Sequence, residues 1–321
     1  MRASVIIPSY NAALTLQETL DSIIPQLTRE DEAIIIDDGS TDNTLEVVKP
    51  YLSRNVIYLR QENSGGPAAP RNKGIAHARG RYIFLFDSDD LMLPGKIENS
   101  IDSLARYPNA GLLFSNFRTI DENGLLLKAN FLEGYTLISQ LRNNQSEPSF
   151  LIEVPDGCEH LASENFIGTS GVVIRKEVLE RVGSFDESLN NGDDRDMWFR
   201  ITRQYPIIFY DKVLHSYRIS RNGISKGNAT KRAISKIKVL EKQIRNPISK
   251  KFEKEILKLL SDNYLDIAYD NFQKNELKTA RTNALKALNR HASIRAVKIL
   301  MATFIGKVGV TAIRGLKRVF K

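Results

Sequence analysis

Phe84-Leu85-Phe86-Asp87-Ser88-Asp89-Asp90 decides how this chain is read, because an apolar, strand-like run stops abruptly at three carboxylates within four positions. Anions crowded at one strand end repel one another, so a positive group belongs there. A divalent cation held by carboxylate oxygens, and itself holding phosphate oxygens, is the simplest such group. The bland alternative, capping of a helix after Pro94, accounts for one acid but poorly for three.

Working outward, the first half alternates two kinds of segment. Ser4–Ile7, Ala33–Ile36, Val56–Leu59, Tyr82–Phe86 and Leu112–Asn116 are short β-branched or aromatic runs. Between them Leu14–Leu27, Thr41–Leu52, Arg71–Ala78 and Lys96–Tyr107 carry helical spacing. The alternation predicts an α/β unit with a mainly parallel sheet flanked by helices and right-handed crossovers. Ligands of such sheets bind outside the carboxyl ends of the strands, where the acidic run sits. Further on, Phe117–Leu127 reads as a hairpin around Asp121-Glu122-Asn123-Gly124, and residues 128–165 have weak periodicity. Gly171–Ile174 and Ile207–Tyr210 read as strands, Lys176–Arg181 and Asp194–Gln204 as helices. From about Ala229 the pattern is almost wholly helical, which predicts a catalytic unit over 1–228 and a helical extension over 229–321.

Composition fits a soluble globular protein of 321 residues, with 42% hydrophobic and 26% charged residues. The lone Cys158 allows no intramolecular disulfide and points to a reduced, cytoplasmic compartment. Ala3–Ile7 is too short for a signal segment, and no run reaches the roughly 18 apolar residues of a spanning helix. The net charge of +8 is uneven: eleven Lys and Arg follow Glu276 with no acid among them, leaving 35 basic against 38 acidic residues before it. The basic tail suits nucleic acid or an anionic membrane surface.

Four more clusters lie at predicted strand ends. Pro8-Ser9-Tyr10-Asn11 runs the first strand into a proline-pinned turn, where Tyr10 could pack on a flat ring and Asn11 hydrogen-bond it, or the stretch is an ordinary loop. Asp37-Asp38-Gly39-Ser40 places adjacent acids on a buried strand end, where ribose hydroxyls or a base N–H could donate to them; Asp42 nearby could simply cap a helix. Asn63-Ser64-Gly65-Gly66 leads into Pro70-Arg71-Asn72-Lys73, a glycine-rich helix entry whose N–H groups and Arg71 could face a diphosphate. It matches neither a dinucleotide fingerprint nor a P-loop. Asp193-Asp194-Arg195-Asp196 is an acidic helix start, either favoured by the helix dipole alone or supplying a general base.

This ordered set resembles the family 2 glycosyltransferases of the GT-A fold over about residues 1–225, and Phe166-Ile167-Gly168-Thr169-Ser170 and Gly183-Ser184-Phe185-Asp186-Glu187 fit as well. The resemblance implies inverting transfer from a nucleotide-diphosphate sugar, a UDP-sugar first among them, with Mn2+ or Mg2+, in cell-surface glycan, polysaccharide or glycolipid synthesis. It implies that Pro8, Tyr10, Asn11, Asp37, Asp38, Asn63, Arg71, Asp87, Asp193 and Arg218 line the donor pocket. Asp87 and Asp89 take the metal-binding pair, and Asp194 takes the catalytic-base position, with Asp193 replacing the usual Glu.

The chemistry is consistent: negative charge grows on the leaving diphosphate, which a metal and Arg71 stabilise, while a carboxylate on the opposite face accepts the acceptor hydroxyl's proton. One departure is Ser220, standing where many relatives carry a His after the Tyr-Arg pair (here Tyr217-Arg218); His215 precedes the pair. The absence of Q-x-x-R-W points to single additions rather than polymerisation. A metal-dependent sugar nucleotidyltransferase would need a glycine- and basic-rich signature near the first strand, which Pro8-Ser9-Tyr10-Asn11 does not supply. A nucleic-acid-binding role for the tail would call for stacking aromatics beyond Phe304 and Phe320, so no nucleic acid is expected.

In the extension, Asn263–Arg290 predicts an antiparallel helix pair with Ala268, Ala280, Ala284, Ala287 and Leu288 at the contact. Ser293–Lys321 interleaves Ile299, Leu300, Phe304, Ile305, Val308, Ile313, Leu316 and Phe320 with cations. It reads either as an amphipathic segment on anionic lipid at the inner face of a membrane, near a glycan or lipid-linked acceptor, or as a docked helix with a solvated basic face.

Overall fold

The computed structural model describes residues 1–142, 148–189, 191–220 and 229–319, with residues 229 and 307–319 as backbone only. The chain divides into two compact units, Met1–Gly223 and Ile224–Lys321. The boundary expected near residue 228 lies outside the described residues.

The first unit opens as its periodicity predicts: β1 (Ala3–Ser9), α1 (Leu16–Ile23), β2 (Asp31–Asp37), α2 (Thr44–Val48), β3 (Val56–Arg60), α3 (Ala68–His77) and β4 (Tyr82–Leu85). These four strands are parallel in the order β3-β2-β1-β4. Every residue of β1 and β2 is buried: Val5–Ile7 and Ala33–Ile36 supply the apolar centre, and the acids opening β2 are held by Arg2 and Arg79. Pro8 lies inside β1 rather than after it, opposite Ile36. The β1–β4 ladder stops at Ile6–Leu85, so the missing N–H sits where β1 has lost its neighbour on that side.

The remaining elements are β5 (Leu91–Met92), α4 (Lys96–Arg106), β6 (Leu112–Ile120), β7 (Leu126–Lys128), α5 (Thr136–Arg142), β8 (Ser149–Ile152), α6 (Asp156–Ser163), β9 (Val172–Arg175), α7 (Lys176–Val182), α8 (Asp193–Thr202) and β10 (Ile207–Arg218). Here the sheet turns mixed. β9 enters from a tight Thr169–Gly171 turn instead of a crossover helix, and it runs antiparallel between β4 and β6. β10 is three times longer than its apolar start suggests. Beyond Tyr210 it slips register against β6 at two irregularities, pairs with β5 at His215 and Ser216, and carries Tyr217 and Arg218 along the end of β6. The hairpin expected over Phe117–Leu127 is longer: its first strand is continuous with Leu112–Asn116 as β6, which pairs with β7 around a turn closed by Asp121. Close packing under the sheet needs glycine: a Cβ on Gly74 would lie 2.4 Å from Ile6, and one on Gly80 2.4 Å from the backbone of Ala3.

The second unit contains α9 (Ala229–Ile244), α10 (Lys250–Gln273), α11 (Leu277–Arg290) and α12 (Ile294–Val319), the last broken by a kink at Gly306, φ 67°. Asn275, at φ 65°, ends α10; its N–H reaches Phe272 O and that of Glu276 reaches Asn271 O, so the chain doubles back into α11. Ala268, Ala280, Ala284 and Ala287 are fully buried, as expected of contact positions, whereas Leu288, expected with them, is half-buried. No described helix is long and apolar enough to cross a membrane.

Candidate active site

The site assembles where β1, β2 and β4 end. After β1 the chain turns at Asn11, which holds φ 48° because its side chain is engaged: Asn11 Oδ1 accepts from Thr41 N at 2.8 Å, and Asn11 N donates to Ser40 Oγ at 2.9 Å. Asn11 thus stitches the β1 loop to the β2 loop. Tyr10 beside it is 52% exposed, an aromatic ring free to take a flat partner.

The two acids ending β2 are both buried and both engaged by protein donors. Asp37 is buried and fully used by protein donors: Ser40 N at 2.7 Å on one oxygen, the Tyr58 hydroxyl on the other, with Arg60 at 3.5 Å. Asp38 accepts from Gln61 Nε2 at 2.6 Å and from the Ser64 hydroxyl at 2.9 Å, and Asn63 Nδ2 donates to Asp38 O at 3.0 Å. The glycine-rich loop is therefore tied to Asp38, and two of its N–H groups are spent internally: Ser64 N on Asp38 and Gly65 N on Asn63 Oδ1. Asp42 stands one residue before Asn43, the N-cap of α2, and accepts from Thr44 N at 3.0 Å and Ala13 N at 3.0 Å.

Arg71, on the first turn of α3, organises the centre. It is 4% exposed; one terminal nitrogen donates to Asp87 Oδ1 at 2.9 Å and the other to Asp193 Oδ2 at 2.8 Å. Its guanidinium lies 5.7 Å from the Phe185 ring centroid. One buried cation thus joins the acidic run after β4 to the acidic start of α8, clusters more than a hundred residues apart in sequence. The Asp87–Asp90 run does not cap α4, whose N-terminus is formed by Gly95 at φ 79°.

The run itself is an electrostatic trap. Burial first, then the charge of Asp87, pushes the Asp89 carboxyl up to about 6, and Arg218 opposes this. Asp90 is held well above the usual carboxylate range by burial, then by Asp89 and Asp87. Arg218 is the brace: its N–H reaches Asp90 Oδ1 at 2.9 Å, Nε reaches Asp89 O at 2.9 Å, and its terminal nitrogens reach Glu122 O at 3.0 Å and Glu18 at 2.5 Å. Its donors are thus turned to the loop and its neighbours.

On the other side, Asp193 and Asp194 open α8, whose dipole favours anions at that end. Asp193 is 2% exposed, and burial outweighs Arg71 to push it up to about 6. Asp194 is half-buried and keeps looser partners: the Arg195 N–H on Oδ1 at 2.6 Å and the Thr169 hydroxyl 3.4 Å from Oδ2. The Thr169–Gly171 turn touches both arms, since Ser170 Oγ accepts the Asp87 N–H at 3.1 Å.

Beneath that turn lies Lys96, fully buried, donating to Gly171 O at 3.2 Å. Burial pulls its amine down to about 7, with Asp90 pulling the other way. His215 packs beside it, stacked on Phe117 at 4.9 Å, and burial together with Lys96 holds it neutral, well below its usual range. It is 1% exposed, within the sheet. Cys158 is also buried, its thiol pushed up to about 11 by desolvation, which suits an inert packing residue.

Sequence reasoning missed Lys96, Glu18, Gln61, Ser64 and Tyr58 as supports. None carries a local sign of this role; the fold turns Tyr58 to Asp37, Gln61 and Ser64 to Asp38, and Glu18 to Arg218. Among the described residues no three His, Cys, Asp or Glu side chains converge as a metal cage. Two carboxylates in one loop nevertheless suit Mg2+ or Mn2+, hard cations that commonly take one or two carboxylates and complete their shell with water and phosphate oxygens.

Carboxylate loops at the ends of parallel strands, joined through one arginine to a second acidic helix start, make this a nucleotide-sugar transferase fold of the GT-A class. Residues 4–162 match the family model described as glycosyl transferase family 2, and the N-terminal unit belongs to that family. An uncharacterized glycosyltransferase of Rickettsia felis is 29% identical over 214 residues, covering 66% of this chain and 33% of that protein. The chain spans between 33% and 63% of the length of the first curated relatives it matches. Among solved structures, S. aureus TarS 1–349 in complex with UDP-GlcNAc superposes with a TM-score of 0.66 at 17% identity, over 96% of this chain and 88% of that one. The mannosyltransferase PcManGT from Pyrobaculum calidifontis, in complex with GDP-Man and Mn2+, gives 0.59 at 22% identity, over 97% and 82%. These likenesses establish the fold.

Proposed function

We propose that the chain is a glycosyltransferase that moves a sugar from a nucleotide-diphosphate sugar, a UDP-sugar in the first instance, to an acceptor hydroxyl with inversion at the anomeric carbon. The observation that carries this reading is the Arg71 bridge between Asp87 and Asp193. It holds a phosphate-facing acidic loop and an acceptor-side acidic pair at a fixed separation, as a single in-line displacement requires. The donors bound by the TarS and PcManGT structures support a nucleotide sugar, and the Mn2+ in the latter supports a divalent metal.

Of the acidic pair, Asp194 is the base. Asp193 is locked to Arg71 and buried, whereas Asp194 retains lone pairs and partial exposure. It accepts the acceptor hydroxyl's proton as the oxygen attacks the anomeric carbon and the sugar–phosphate bond breaks. Arg71 stabilises charge on the departing diphosphate, a role that requires its clasp on Asp87 to loosen as phosphate arrives. Tyr10 stacks on the nucleotide base. Asp38 and Asn63 border it, while Pro8, Asn11 and Asp37 hold the loops in register. Asp87 and Asp89 would hold Mg2+ or Mn2+, which when bound neutralises the diphosphate. Arg218 braces that loop. The acceptor is proposed to be a glycan, polysaccharide or glycolipid hydroxyl, with residues 1–223 as the catalytic unit.

Asp194→Asn tests the assignment. Transfer is expected to fall by at least about a thousandfold while Mn2+-dependent binding of a UDP-sugar is kept, because the variant cannot accept the proton. Retained turnover removes Asp194 as the base, and an NMR reading of retained anomeric configuration removes the displacement itself.

A further inference from the structure

The helical unit leaves one face of α12 unaccounted for. Ile294, Val297, Met301, Phe304 and Ile305 are 75%, 40%, 63%, 66% and 48% exposed. Their spacing of i, i+3, i+7, i+10 and i+11 puts all five within one arc of about a hundred degrees. Ala296 and Thr303, on the opposite side, are buried where α12 packs on α10 and α11. Five large side chains in one stripe exceed the scattered exposure normal for a soluble surface. The stripe is therefore built to be covered.

Charge identifies the cover. Lys298 borders the stripe and is exposed, and the Arg281 guanidinium lies 3.8 Å from the Phe304 ring centroid, so a cation sits directly on the apolar face. Lys278 and Lys286 are exposed on the adjoining α11. In sequence every ionised side chain after Glu276 is basic, eleven in all. A second copy of this chain would bring Lys278, Arg281, Lys286 and Lys298 toward their like, which disfavours self-pairing through the stripe. A surface that is apolar below and anionic above satisfies both features at once.

We propose that this face of α12 docks on an anionic lipid surface, with Met301 and Phe304 in the acyl boundary and the flanking cations among the headgroups. The docking confines the attached transferase unit to acceptors presented at that surface. It does not depend on the identity of the catalytic base, so Asp194→Asn is expected to dock like the parent chain.

The test is co-sedimentation of the full chain with vesicles of phosphatidylcholine alone or with about a third phosphatidylglycerol, read beside Met301→Glu/Phe304→Glu. Both replaced side chains are exposed, and an unchanged melting temperature confirms folding. Expected are binding to the anionic vesicles only, its loss by at least about tenfold in the double variant, and weakening as salt rises. Equal binding by parent and variant overturns the proposal. So does a parent chain that ignores both vesicles. Two other outcomes overturn it in favour of a different cover: stripe-dependent capture by soluble polyglutamate without vesicle binding, and stripe-dependent self-association in sedimentation velocity without vesicle binding.

Discussion

Replacing Arg71 by Met keeps much of the side-chain volume but removes the cation that joins the two acidic arms. Its bond to Asp193 is the costly one, because side-chain exposures of 5% and 3% leave no water to take over. Breaking a buried pair and stranding one charge costs about 3–5 kcal/mol. The second arm adds less, since Asp87 is 31% exposed and solvent screens it. A total of about 4 kcal/mol lowers the melting temperature of a unit this size by roughly 8–16 °C. The loss depends on pH with a definite sign. Asp193 titrates at about 6 in the folded protein, above its unfolded value, so the folded state holds the extra proton. Stability from this group is fully present below the unfolded pKa and is lost as pH rises through about 6. Without Arg71 the carboxyl rises further and the window of loss extends upward. The gap between parent and variant is therefore widest at pH 7.5 and narrows toward pH 5. Differential scanning fluorimetry at both pH values, with Arg71→Met/Asp193→Asn alongside, reads all of this; the double variant is expected to regain more than half of the loss. A drop under about 2 °C at pH 7.5, or a gap that widens on acidification, refutes the bridge as the organising contact.

Two further outcomes follow from the same geometry. Thr169→Val removes the hydroxyl at 3.4 Å from Asp194 and is expected to lower kcat about three- to tenfold with donor KM unchanged, while Thr169→Ser restores it; steady-state kinetics in which Val matches the parent refute the contact. Gly80→Ala drives a methyl into the backbone of β1 and is expected to destabilise by about 3 kcal/mol, against little change for Gly134→Ala, where nothing lies within 4 Å; urea melts that rank the two equally refute the packing argument.

Much of the site is legible in sequence because its chemistry is local. Asp87, Asp89, Asp38 and Arg71 stand at ends of elements whose periodicity is plain, and parallel sheets gather such ends on one side. The same logic does not reveal surroundings that depend on distant partners. Arg218 looks like a donor-pocket residue, yet its partners are Asp89, Asp90, Glu122 and Glu18, the last 200 positions away. Asp37 and Asp38 both look available in sequence, yet Tyr58 and Ser40 take the oxygens of the first and Gln61 and Ser64 those of the second. The mixed half of the sheet is equally hidden, because β9 reads as a strand without revealing that a tight turn, not a crossover helix, reverses its direction.

The sequence by itself determined the GT-A class, the strand ends that carry the acids, the helical extension and the charge of its tail, all properties set by periodicity and by neighbours within a few positions. The tertiary structure alone decided that one arginine spans 122 positions to lock Asp193 while Asp194 stays half-buried beside Thr169, that Lys96 lies buried beneath the turn touching both arms, and that α12 keeps its apolar stripe outside. These are matters of burial and of which charges meet, and both are fixed by long-range packing rather than by spacing along the chain.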